Sequence, residues 1–170
     1  MVLNLMLGIQ KSVKRTAATL DPRQALSVED FAEKSFHNLA TVKTTNFRNK
    51  LRKGTFFMDY APNVFERIRQ MYGINSVDYI KSIGVDKILN NLLMSDQASL
   101  TELISSGKSG SFFYYSDDGL YMVKTVDKGE SKFLRQILGA YFQHLQENPN
   151  SLIVRFFGHH KLTFEKTLGK

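Results

Sequence analysis

Residues Ser106–Val126 read SGKSGSFFYYSDDGLYMVKTV. Two glycines bracket a lysine, aromatic residues follow, and a second lysine stands inside an apolar run. SFFYYS and LYMVKTV are dense in aromatic and β-branched residues, and Asp117-Asp118-Gly119 between them is a strong hairpin signal. The first strand of that hairpin follows directly on Gly107, Lys108, Ser109, Gly110 and Ser111. A glycine-rich segment opening a hairpin is a place where backbone N–H groups can approach phosphate oxygens with no Cβ in the way.

Two kinds of phosphate cradle can be compared with it. A Walker A loop requires G-x-x-x-x-G-K-[ST]; Gly107, Lys108 and Ser109 match its end, but Glu102 occupies the first glycine position. The context differs too, because that loop delivers phosphate to a helix N-terminus, whereas Ser111 leads into an aromatic strand. A glycine turn between two strands, with a lysine on the next strand, is how kinase small lobes hold ATP. Lys124 would be that lysine. Strand alternation puts it on a face with Met122 and Val126, among apolar neighbours, where an ammonium either snorkels to water or meets an anion. Glu130 would be its ion-pair partner on the following helix, yet Asp127-Lys128-Gly129-Glu130 equally satisfies the spacing of a capping box. Both roles for Glu130 stay open on spacing alone. The glycine pattern of the protein kinases, G-x-G-x-x-G-x-V, is absent, with Ser105 at its first position.

Outward from this hairpin, Glu130, Phe133, Leu134, Ile137, Leu138, Tyr141, Phe142 and Leu145 mark a long amphipathic helix ended by ENPN, and Ser151 to Leu162 reads as a further strand. Upstream the pattern is helical. The first 20 residues predict a helix with Leu3, Leu7, Ile9 and Val13 inward, ended by LDPRQ. Ser27 caps a short helix or a turn into a strand, and Leu39 to Thr55 reads as irregular or weakly β. Pro62 to Tyr72 repeats apolar residues at helical spacing and stops at Gly73; a second helix is expected from Ser76 to Gly84, and a third over VDKILNNLLM.

Composition bounds the class. With 170 residues, 42% hydrophobic, the chain can bury one sizeable core. It contains no cysteine, which excludes disulfide frameworks and cysteine-based metal sites and is most at ease in a reducing compartment. The apolar start MVLNLMLGI is followed, not preceded, by Lys11, Lys14 and Arg15, the reverse of a secretory signal. No run approaches the roughly 18 apolar residues of a spanning helix, so a soluble chain is expected. Lys plus Arg number 23 against 16 acids, a net charge of +7, and Lys43, Arg48, Lys50, Arg52 and Lys53 crowd together without an acid. Such a surface favours polyanions such as an anionic membrane leaflet or nucleic acid; no nucleic-acid module is recognisable and none is expected as a partner. His159-His160 on a strand would point to opposite faces and not share a metal.

Across most of its length the chain resembles the N-terminal half of the phosphatidylinositol phosphate kinases, most closely the type I enzymes. The matching stretches are LGIQKSV (Leu7 to Val13), DF (Asp30, Phe31), DYAPNVFERIRQMYGINSVDYIKSIG (Asp59 to Gly84), the glycine turn with VKTV, FLRQILGAYFQHLQENPNSL (Phe133 to Leu152) and FFGHHKL (Phe156 to Leu162). Gly139 departs from the pattern, standing where relatives often carry proline.

The resemblance implies an α+β, kinase-like small lobe: an antiparallel sheet with N-terminal helices and one long helix packed on it. Residues 1–98 would form the helical N-terminal and dimerisation part, and 99–170 the ATP-binding small lobe. ATP phosphates would lie under Gly107, Lys108, Ser109, Gly110 and Ser111, with Lys124 and Glu130 as catalytic residues. The activity implied is transfer of the ATP γ-phosphate to phosphatidylinositol 4-phosphate at the cytoplasmic face of a membrane, by a peripheral homodimer. The family's catalytic aspartate, Mg2+ ligands and lipid-selecting loop belong to the second half of the kinase domain, so this chain alone is expected to be inactive. A noncatalytic dimerisation or membrane-interaction module is the alternative.

Overall fold

The structure is a computed structural model, and it describes residues 2–39, 54–83, 104–106, 112–116 and 118–164. The chain divides into two compact units, Met1–Ile68 with Ile153–Lys170, and Arg69–Leu152. The α+β expectation holds: helices accompany two three-stranded antiparallel sheets, one in each unit. The boundary expected at 98–99, the third helix and the basic cluster Lys43 to Lys53 lie outside the described residues.

The first unit is built on helix α1, Val2–Thr19, lying on a sheet of β1 (Lys34–Asn38), β2 (Thr55–Tyr60) and β6 (His160–Phe164), in the order β1-β2-β6. Leu7, Ile9 and Val13 are buried as the periodicity predicts, but Leu3 is only half buried and Met6 takes the inner place. Polar Asn4, Ser12 and Thr16 are also inside. The reason lies in the sheet, whose inward residues include Thr55 and Asp59: Asn4 donates to Thr55 Oγ1 at 3.3 Å and Ser12 donates to Asp59 Oδ2 at 2.5 Å. Phe57, at the centre of β2, is fully buried, and a Cβ on Gly8 would come within 2.2 Å of its ring. Gly8 is thus what lets the helix sit directly on the phenyl group. Arg67 fixes the turn after α1, donating to the carbonyls of Asp21, Pro22 and Gln24.

β1 follows the segment at Ser27 that reads as a short helix or a turn into a strand, and β2 begins where the stretch read as irregular or weakly β ends, at Thr55. Their alternation is disguised, because the buried residues include polar Ser35, His37, Thr55 and Asp59, while Phe36 and Phe56 face outward, Phe36 at 65% exposure. Short helix α2, Val28–Ala32, precedes β1, and the Ser27 N–H at its cap donates to Asp30 at 2.7 Å. Ala61 bridges β2 and the next helix in the left-handed region, φ +47, a conformation that costs an alanine about 1–2 kcal/mol. Its N–H donates to the Glu33 carbonyl at 2.9 Å. The strand after the long helix is His160–Phe164, shorter than the expected Ser151 to Leu162, and it pairs with β2.

His37 gives this unit a pH response. It is buried opposite Phe57, with its Nε2 3.2 Å from Ser35 Oγ. Burial, and then the nearby charges of Lys11 and Arg15, hold its pKa below the ordinary 6.5, opposed by Asp59. The unfolded chain therefore takes up this proton before the folded one does. The stabilisation is complete above about pH 6.5 and is lost as the pH falls below it. The urea midpoint is expected to drop between about pH 7.5 and about pH 5.5, and to drop less in His37→Gln, which keeps a partner for Ser35. Equal slopes in the two proteins would show that His37 is not responsible.

Helix α3, Pro62–Met71, begins at Pro62 and buries Val64, Phe65 and Ile68. It ends as predicted at Gly73, φ +68, where the Ile74 N–H reaches back to the Arg69 carbonyl at 2.9 Å. The second unit continues with α4, Ser76–Ile83, burying Tyr79, Ile80 and Ile83. Its cap is Asn75 and not the expected Ser76: Asn75 Oδ1 accepts the Asp78 N–H at 2.9 Å. The sheet of this unit, order β3-β4-β5, is formed by β3 (Ile104–Ser106), β4 (Phe112–Tyr115) and β5 (Met122–Lys124). α5, Lys128–Glu147, follows β5, and Asn148 closes its C-terminus by donating to the His144 carbonyl at 2.9 Å. No helix among the described residues is long and apolar enough to cross a membrane.

Candidate functional site

Strand register fixes where Lys124 stands relative to β3 and β4. β3 and β4 pair antiparallel with Ser106 opposite Phe112 and Ser105 opposite Phe113. The joining residues, Gly107, Lys108, Ser109, Gly110 and Ser111, lie outside the described residues. β5 then pairs with β4 so that Lys124 lies opposite Phe113, Val123 opposite Tyr114 and Met122 opposite Tyr115. Lys124 therefore stands at the end of the sheet where the chain leaves β3 and enters β4, and Met122 at the far end.

The two faces of this sheet differ sharply. Tyr114 is buried, and its hydroxyl donates to the Ile83 carbonyl at 3.0 Å. The residues alternating with it, Tyr115 of β4 and Met122 and Lys124 of β5, are exposed, and Phe113 is half buried. The lysine accordingly rises from an open face with Phe113 and Met122 beside it. Val126, expected on the same strand face, lies beyond the end of β5.

The hairpin turn is held by Asp118. Its Oδ1 accepts from Ser116 Oγ at 2.7 Å, Ser82 Oγ at 2.8 Å and the Leu120 N–H at 3.1 Å. The hydrogen bonds from Ser82 and then Ser116 lower its pKa. Gly119, at φ +69, completes the turn by donating to the Ser116 carbonyl at 2.9 Å. Asp118 thus has the turn-forming role that the sequence predicts; Asp117 lies outside the described residues. Tyr79 meets Tyr121 edge-on at 5.0 Å and carries the Arg69 guanidinium over its ring at 4.9 Å, so α4 is fastened to the hairpin.

Glu130 fills both roles that its spacing allowed. Oε1 lies 3.7 Å from Lys124 Nζ, and Oε2 accepts the Asp127 N–H at 2.9 Å. Asp127 Oδ1 in turn accepts the Glu130 N–H at 2.8 Å, completing a capping box at the start of α5. The two functions do not compete, because each carboxylate oxygen serves one. The side chains of Lys124 and Glu130 are 40% and 52% exposed, so both charged groups are open to solvent. α5 itself is anchored by Leu138, Tyr141, Phe142 and Leu145; Phe133, expected inward, is 61% exposed, and Ile137 is exposed as well. The helix is thus held by its second half while its first half presents Glu130.

The first unit holds a polar cluster that the sequence does not advertise. Asp59, buried on β2, accepts from Ser12 of α1 on one oxygen and lies 2.8 Å from His160 Nδ1 of β6 on the other. The carboxylate sits between hydroxyl and imidazole, so the imidazole cannot take the serine proton, and the cluster ties three elements together without activating a nucleophile. His159 and His160 point apart, His159 stacking on Tyr60 at 4.7 Å and His160 lying 5.1 Å from Phe57. A Cβ on Gly158 would lie 2.5 Å from His160 Nε2, so glycine there leaves room for the ring. Strand alternation could have revealed Asp59 as a buried acid; its partners, 47 and 101 residues away, carry no local signal.

Residues 94–169 match the family model described as Phosphatidylinositol-4-phosphate 5-Kinase. The chain is 33% identical over 172 residues to the phosphatidylinositol 4-phosphate 5-kinase of Plasmodium falciparum (isolate 3D7), an alignment covering 100% of this chain and 9% of that protein. It is 38% identical to phosphatidylinositol 4-phosphate 5-kinase its3 of Schizosaccharomyces pombe over 94% of this chain and 20% of the relative. Phosphatidylinositol 4-phosphate 5-kinase 5 of Arabidopsis thaliana is 39% identical, over 94% of this chain and 19% of the relative. The chain thus spans a fifth or less of the length of these relatives.

Proposed function

We propose that this chain, similar over 94–100% of its length to a segment of phosphatidylinositol 4-phosphate 5-kinases, is the part of such a lipid kinase that grips the ATP phosphates. The observation that carries this reading is the register of β4 and β5, which sets Lys124 at the glycine-segment end of the sheet with Glu130 within ion-pair reach. Lys124 neutralises phosphate charge, and Glu130 keeps the ammonium from swinging into solvent when the site is empty. Backbone N–H groups of Gly107, Lys108, Ser109, Gly110 and Ser111 cover the phosphates.

In the reaction, a hydroxyl of the phosphatidylinositol 4-phosphate headgroup attacks the γ-phosphorus. A new O–P bond forms as the β–γ bridging bond breaks, ADP leaves, and the hydroxyl proton passes to a base. The basic excess of the chain, +7, supports peripheral attachment to an anionic membrane surface; the cytoplasmic face and the homodimer belong to the same proposal through the family resemblance alone. Mg2+ serves ATP in this chemistry, but among the described residues no group of three or more acidic or imidazole side chains gathers to hold a metal ion.

The test is transfer of label from γ-labelled ATP to vesicles of phosphatidylcholine, phosphatidylserine and phosphatidylinositol 4-phosphate by the protein that carries this segment. Labelled phosphatidylinositol 4,5-bisphosphate is expected. A folded protein that labels no lipid, in vesicles on which a relative is active, would overturn the proposal.

A further inference from the structure

Resting on the nucleotide-binding reading of Lys124, we propose that Asp127 is a positioning residue for that site: through the capping box it aims the Glu130 carboxylate at the lysine. A half-exposed glutamate has ample rotamer freedom, and an exposed ion pair by itself holds a side chain weakly. Here Oε2 is pinned by the Asp127 N–H at 2.9 Å, which leaves Oε1 directed to Lys124 Nζ at 3.7 Å. Asp127 completes the clamp from the other side by holding the Glu130 N–H at 2.8 Å, so the backbone and the side chain of Glu130 are both fixed.

The geometry is short-coupled. Only Thr125 and Val126 separate the lysine at the end of β5 from Asp127, so the box joins strand to helix at the point where the pair forms. Gly129 belongs to the same device: a Cβ there would lie 3.1 Å from Asp127 Oδ1, and its absence leaves the capping carboxylate room. The fully buried residues of α5, Leu138, Tyr141, Phe142 and Leu145, lie in its second half, while Lys128, Gly129 and Glu130 at its start are exposed and the capping box holds them locally. The box is therefore the local fastening that sets where Glu130 lies relative to Lys124.

Two readouts test this. The first is zero-length carbodiimide crosslinking, which condenses an amine and a carboxylate to an amide with loss of water only when they are in contact; the Lys124–Glu130 product is read by peptide mass spectrometry. Asp127→Ala is expected to lower its yield by about fivefold or more, and Asp127→Asn, which keeps the capping oxygen, to restore it. Unchanged yield in Asp127→Ala would overturn the proposal. The second is kcat in the protein that carries the segment. Asp127→Ala is expected to lower it by about 10- to 100-fold, Asp127→Asn to recover it to within about threefold, and Asp127→Ala to add no more than about twofold on top of Glu130→Gln.

A full additive loss in the Glu130→Gln background would mean that Asp127 acts on the fold and not through Glu130, and the proposal would fall. Absence of any ATP-dependent turnover, with crosslinking still dependent on Asp127, would sink the nucleotide reading while leaving the placement of Glu130 by Asp127 intact.

Discussion

On the phosphate-gripping role proposed for Lys124, Lys124→Met is expected to lower kcat for ATP-dependent lipid phosphorylation by about 100- to 1000-fold, the scale seen when one charge-stabilising donor is removed from a transition state. Methionine keeps the unbranched length of the side chain and removes only the ammonium. The fold should be indifferent to the change. Lys124 is 40% exposed and its bond with Glu130 is screened by solvent, so the pair contributes between about 0 and 1 kcal/mol of stability. Catalysis and stability are therefore expected to separate: turnover collapses, the melting temperature stays within a few degrees, and KM for the lipid is little changed. Turnover near the wild-type rate would remove Lys124 from its role, and a large fall in melting temperature would mean that its place in the hairpin had been misjudged.

Gly8→Ala is expected to do the opposite, damaging the fold through a single methyl group. The new Cβ would lie 2.2, 2.4 and 2.7 Å from three carbons of the Phe57 ring. That ring is fully buried between His37, at 6.2 Å, and His160, at 5.1 Å, so it has little room to swing aside. Overpacking of this severity costs about 3 kcal/mol or more. Alanine is favoured over glycine inside a helix by about 1 kcal/mol, which offsets part of the loss. The net is a destabilisation of about 2 kcal/mol, or roughly 4–8 °C in melting temperature for a chain of this size. Phe57→Leu in the same background should return part of it by shrinking the obstructing group. A Gly8→Ala protein at least as stable as the parent would show that α1 does not lie as closely on Phe57 as the structure has it.

Local patterns carried most of the helical architecture. The stops at Gly73 and at ENPN, the start at Pro62 and the Asp118-Gly119 turn each follow from a residue whose conformational preference acts within a few positions. The strand position of Lys124 was legible for the same reason, since the hairpin signal and strand alternation are both local. What escaped was whatever depended on distant partners. β1 and β2 put polar residues inside because α1 supplies Asn4 and Ser12 to meet them, and an inward Asp59 is intelligible only once His160 is beside it. Phe133 and Ile137 mislead in the opposite sense: they continue the apolar period of α5, yet only the second half of the helix is buried. Glu130 was ambiguous because one carboxylate has two oxygens, and spacing cannot say that they go to different partners.

The pairing of β2 with β6 reaches across the whole of the second unit, with Asp59 and His160 separated by 101 residues. On a ribosome adding about 5–20 residues per second, β2 is finished roughly 5–20 s before its neighbour has been synthesised. Throughout that interval the nascent chain carries an unmatched strand edge and a half-roofed phenyl ring, while the intervening unit, continuous in sequence, can condense without waiting. Of the two sheets, the one whose first strands are synthesised earlier is thus the later to close. This interval is where a chaperone that shields bare strand edges would have the most to do.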